Sequence, residues 1–99
     1  MKRIGRFGKL KSGALEEYIR LHGDFDPRLH EALTKAGIRN FSIYIHGDEL
    51  FSYLECDDWG AAMQYLEEDP PTQEWSTLMR TLLDEPLPWQ VLEEVFHVD

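Results

Sequence analysis

Ninety-nine residues, 42% hydrophobic and 29% charged, suffice for one domain around one core, expected over residues 1–99, and exclude a disordered segment. The net charge of −9, from 19 acidic and 10 basic residues, excludes nucleic acid and anionic membrane as partners, since both need basic patches. No apolar run approaches the roughly 18 residues of a membrane span. The start Met1-Lys2-Arg3-Ile4-Gly5-Arg6 lacks the apolar stretch of a signal peptide, so the expected location is the cytoplasm.

Ile4 to Leu10 reads as a first strand, although Ile4 and Phe7 are out of phase and Gly5 and Gly8 interrupt it. A strand glycine can also mark close approach of a ligand or another backbone. Ser12 is the expected N-cap of a helix ending near Gly23. Asp26-Pro27 restarts a helix, with Asp as cap and Pro at the first helical position. Its stripe is Leu29, Ala32, Leu33 and Ala36, and Gly37 stops it. Phe41 to Ile45 and Leu50 to Leu54 alternate as strands, joined by a tight Gly47-Asp48 turn.

Asp57 or Asp58 caps a third helix with Trp59, Ala62, Met63 and Leu66 inward. Pro70-Pro71 is expected to end it. Thr72 then caps a fourth helix with Trp75, Leu78, Met79 and Leu82 inward. Asp84 to Trp89, with Pro86 and Pro88, reads as loop, and Val91 to Val98 as the final strand. The order is strand, broken helix, two strands, broken helix, strand. That is the ferredoxin-like split βαβ pattern, an α+β fold with a four-stranded antiparallel sheet and helices on one face. The other face would carry Phe, Tyr and Leu side chains. A bare apolar face of that size is an association surface, so a homodimer through the open sheet face is expected.

Leu15, Tyr18, Ile19 and His22 share one helical stripe. A Tyr and a His there are first read as hydrogen-bonded core residues. Their other reading is chemical: phenol and imidazole point into one cavity and exchange protons with a small molecule. His22 also lies beside the break at Gly23 to Pro27, a plausible cavity wall. His30 and His46 read as solvent-exposed, and His97 is a lesser candidate for the site. Trp75, in the first turn of its helix, suits either the core or the C–H face of a sugar. Tyr44 and Tyr53 line a cavity or fill the sheet, and Trp89 caps a dimer, a ligand pocket or neither. Cys56 stands alone, so there is no intrachain disulfide; a buried free thiol fits a reducing compartment. No spacing suggests a metal site, and Gly5-Arg6-Phe7-Gly8 is not a phosphate loop. Glu93 and Glu94, adjacent on a strand, would face opposite ways.

Several segments together resemble the L-rhamnose mutarotase family. They are Glu17-Tyr18 with His22, Asn40 to Tyr44, Leu50 to Glu55, Trp59, Trp75 and Glu93 to Phe96, in order over nearly the whole chain. The resemblance implies a dimeric α/β barrel, no cofactor, and a small-molecule monosaccharide as partner. It implies interconversion of the α and β anomers of a free 6-deoxy-L-sugar. His22 matches the family's proton donor, Tyr18 a sugar-binding tyrosine, and Trp75 the first of a sugar-binding tryptophan pair. The second of that pair is Ser76 here, and Phe41 replaces another sugar-binding tyrosine. Both changes touch the pocket, so L-rhamnose and L-fucose stand level as substrates. Two other readings share the architecture: a cofactor-free oxygenase-like or haem-degrading protein, and a non-catalytic sugar-binding dimer.

Overall fold

The computed structural model describes residues 1–84 and 89–99, so the Glu85–Pro88 part of the expected loop lies outside the described residues. The elements run β1 (Lys2–Lys9), α1 (Leu15–Gly23), α2 (Pro27–Lys35), β2 (Arg39–His46), β3 (Glu49–Cys56), α3 (Trp59–Glu68), α4 (Pro70–Arg80) and β4 (Gln90–Leu92). The sheet order is β2-β3-β1-β4 with every pairing antiparallel, as the split βαβ reading requires. None of the described helices is long and apolar enough to cross a membrane.

Several local signals act as read. The Asp26 side chain accepts from the Arg28 N–H while Pro27 fills the first helical position. Gly37 adopts φ +84° just past α2, a conformation that costs a residue without Cβ little. Gly47, at φ +63°, turns β2 into β3. Asp58, rather than Asp57, caps α3 by accepting from the Ala61 N–H.

Four expectations need correction. Ser12 does not cap α1: the N-cap is Ala14, without a side-chain bond. A turn intervenes, closed by the Ala14 N–H on the Lys11 carbonyl with Gly13 at φ +83°. Nor does Thr72 cap α4. Asp69 does, accepting from the Thr72 N–H at 3.1 Å and the Thr72 hydroxyl at 2.7 Å. Pro70 and Pro71 therefore start α4 instead of merely ending α3, since first-turn positions need no N–H partner and Pro70 holds Asp69 extended. Leu78 is exposed rather than inward. Finally, β4 covers only Gln90–Leu92 instead of Val91 to Val98. Its register sets Leu92 opposite Gly5, and continuing it would put Val95 opposite Lys2, where β1 begins. A strand running on to Val98 would outrun its neighbour. Val95, Phe96 and Val98 are exposed, while Glu94 is tied to Arg3 at 2.9 Å.

The inner sheet face holds two apolar clusters with a gap between them. Ile4, Leu54 and Cys56 pack with Ile38 and Ala62 at one end. Leu10 and Leu50 pack with Tyr18 and Met79 at the other. Between them Arg6 lies directly opposite Ser52 across β1 and β3. The opposite face carries Phe7 and Phe51, with ring centroids 5.4 Å apart, together with Tyr44, Tyr53 and Leu92.

Candidate active site

Helices and sheet enclose a partly open cavity of about 1180 Å³. Ligand pockets usually span roughly 300–1,000 Å³, so a monosaccharide has ample room to enter and change shape. All five predicted site residues, Tyr18, His22, Phe41, Trp75 and Ser76, line it.

Helical periodicity sets the first wall. Tyr18 and His22, one turn apart in α1, present ring centroids 4.2 Å apart. Trp75 of α4 meets His22 edge-on at 5.1 Å, and Phe25 stacks on the imidazole at 6.2 Å and meets Trp75 edge-on at 5.3 Å. His22 Nδ1 lies 2.8 Å from the Tyr18 backbone carbonyl. A carbonyl only accepts, so Nδ1 carries a proton. Nε2 is thus the nitrogen left to gain or lose one.

Tyr18 is buried, and desolvation pushes its phenol up to about 12, although the Arg6 charge pulls the other way. Near neutral pH it is therefore a hydroxyl that donates and accepts hydrogen bonds; the phenolate is absent.

The second wall comes from the sheet. Arg6 projects inward between Ile4 and Gly8, and its Nε donates to Ser52 Oγ at 3.2 Å. Its guanidinium carbon lies 4.9 Å from the Trp89 ring centroid, 5.5 Å from Trp59 and 5.6 Å from Phe41. Burial lowers its pKa to about 10, so it stays charged at neutral pH. Gly8 makes room for Trp89: a Cβ there would sit 3.1–3.3 Å from the indole. This is the close approach expected of a strand glycine, made by a side chain of this protein. Asn40, at φ 51°, and Phe41 sit in a β2 irregularity between Arg39 and Ser42, and Phe41, Ile43 and Ile45 reach the cavity.

Sequence reasoning missed Arg6, Phe25 and the cavity role of Trp59. Arg6 had a signal: it shares a strand face with Ile4 and Leu10, and a cation amid an apolar face is informative. The remaining histidines take no central part. His30 is exposed at the cavity edge, His46 is exposed at the turn, and His97 Nε2 bonds Asp99 at 2.8 Å away from the cavity. The Tyr53 hydroxyl donates to Glu55 at 2.6 Å on the other sheet face. Among the described residues no three His, Cys, Asp or Glu side chains gather as metal ligands. Cys56 is buried, its thiol pushed up chiefly by desolvation, and lies outside the cavity lining.

The fold superimposes on a crystal structure of an L-rhamnose mutarotase from Formosa agariphila with a TM-score of 0.85, at 23% identity and covering 100% of both chains. The sequence is 34% identical to an L-rhamnose mutarotase of Lactiplantibacillus plantarum and 30% to one of Bacillus subtilis, each over 104 aligned positions and 100% of both chains. The family model described as L-rhamnose mutarotase matches residues 3–98. With a family match over nearly its whole length and relatives of this identity along their entire length, the chain belongs to the L-rhamnose mutarotase family.

Proposed function

We propose that this protein, as one domain over residues 1–99, interconverts the α and β anomers of a free 6-deoxy-L-sugar, L-rhamnose or L-fucose. The observation that carries the reading is His22: its Nδ1 is committed to the Tyr18 carbonyl, leaving Nε2 as the proton-transfer atom beside an aromatic cavity.

Opening a cyclic hemiacetal needs one proton delivered to the ring oxygen and one removed from the anomeric hydroxyl. The imidazolium Nε2–H of His22 supplies the first, and water entering the partly open cavity takes the second. An imidazole suits this because its ordinary pKa lies near the working pH. The C1–O5 bond breaks, the open-chain aldehyde turns about C1–C2, and reclosure yields the other anomer. Trp75 offers an indole to the C–H face of the ring, and the protonated Tyr18 hydroxyl holds a sugar hydroxyl. Ser76 and Phe41 complete the pocket, one small and polar, the other without a hydroxyl.

The working unit is a homodimer joined through the outer sheet face, giving the dimeric α/β barrel. Phe51, Tyr44 and Leu92 are exposed there, and Val95 and Phe96 are exposed beyond the end of β4. Saturation transfer between anomer NMR signals tests the activity. Faster exchange of L-rhamnose or L-fucose with protein present is expected; unchanged exchange of both would remove the reading.

A further inference from the structure

A cation stands in the middle of this aromatic cavity without a carboxylate partner among the described residues. Arg3, Arg20, Arg28 and Arg39 each pair with a carboxylate at the surface. Arg6 has only the Ser52 hydroxyl on its Nε and aromatic rings about its plane. A guanidinium offers five N–H donors in a fixed fork, and Ser52 uses one. Withdrawing such a charge from water is unfavourable unless something compensates it. Ring faces compensate partly. Sugar hydroxyls could fill donor positions but would leave the charge unneutralised. A carboxylate takes two parallel N–H bonds and neutralises it.

We propose that the cavity also takes free sugars carrying a carboxylate, hexuronic acids, with Arg6 as the carboxylate-binding residue. The inference rests on the mutarotase reading and adds a substrate class to it. In a hexuronic acid ring the carboxylate is borne by the carbon bonded to the ring oxygen. Arg6 on the sheet wall would hold that group while the ring oxygen meets His22 on the helix wall. The carboxylate is unchanged by the reaction, and the exchange at C1 proceeds as for the neutral sugar.

The test compares wild type with Arg6→Met, which keeps length and apolar bulk without the charge. Anomer exchange is measured for D-glucuronate, D-galacturonate, L-rhamnose and L-fucose. Binding of the same sugars and of inorganic phosphate is measured by calorimetry. At least one uronate should bind and exchange faster, and Arg6→Met should lower its kcat/KM relative to that of L-rhamnose by roughly 10²-fold or more. The ligand-free variant should unfold at the same or a higher temperature, because an isolated buried charge has been removed. Exchange of L-rhamnose or L-fucose with both uronates silent overturns this inference and leaves the mutarotase reading standing. Uronate binding lost in Arg6→Met, with no sugar exchanging, keeps the carboxylate site and overturns the mutarotase reading. Phosphate binding with silent uronates, or a marked loss of stability in the variant, overturns the carboxylate assignment.

Discussion

At the scale of single residues, Tyr18, His22 and Arg6 line the cavity and are the side chains to which the proposed chemistry is assigned. Tyr18 is held protonated up to about 12. Tyr53 is raised as well, by its bond to Glu55, so titration of tyrosinate absorbance should show more than one late-ionising tyrosine, and the step near 12 should be absent in Tyr18→Phe. The sign for stability follows. A phenol raised in the folded state contributes stability below its ordinary pKa of 10.0, which is lost as pH climbs toward about 12. Arg6 is depressed to about 10 in the folded state, so its contribution rises with pH above that point and offsets Tyr18. In Arg6→Met the offset disappears, and the loss of stability between pH 10 and about 12, followed by denaturant midpoints, should be steeper than in wild type. Tyr18→Phe should raise KM by up to roughly tenfold with little change in kcat, as expected for one neutral hydrogen bond. The Tyr18–His22 pair was legible in the sequence because helical spacing needs only the local chain. Arg6 was not, because with Ile4 and Phe7 out of phase and glycines at 5 and 8 the strand showed no clear inward face. The register places Ile4, Arg6, Gly8 and Leu10 together and turns Phe7 to the other face.

At the scale of elements, short-range signals with a steric cause were readable. Asp26-Pro27 and Gly47-Asp48 both act through fixed backbone angles, which the local sequence specifies. Capping chosen among neighbouring hydroxyls and carboxylates was not readable: Ser12 and Thr72 lost to Ala14 and Asp69. β4 ends at Leu92 opposite Gly5, short of the start of β1 at Lys2, and the run Val91 to Val98 did not mark that end. Asp69 both follows α3 and caps α4, so Asp69→Ala should lower stability by about 1–2 kcal/mol in urea unfolding. Gly8→Ala forces the Trp89 indole to give way by a few tenths of an ångström. It should shift tryptophan emission and weaken sugar binding, because Trp89 also flanks Arg6. Unchanged emission and affinity would mean that the indole relaxes without disturbing the cavity.

At the scale of the whole molecule, the fold class and strand order were readable from element order alone. The cavity was less so, because it depends on where two apolar clusters leave a gap across the sheet. Sedimentation should give about twice the chain mass of 11.6 kDa. Phe51→Glu, placing charge on the outer face, should convert the dimer to monomer. A wild-type monomer would contradict assembly through that face.

The proposed reaction depends above all on proton transfer by His22. Its most direct test is the saturation-transfer rate for L-rhamnose and L-fucose with wild type and with His22→Ala. Acceleration by wild type and a fall of roughly 10²–10⁴-fold in the variant are expected. Wild-type rates retained in folded His22→Ala would contradict it.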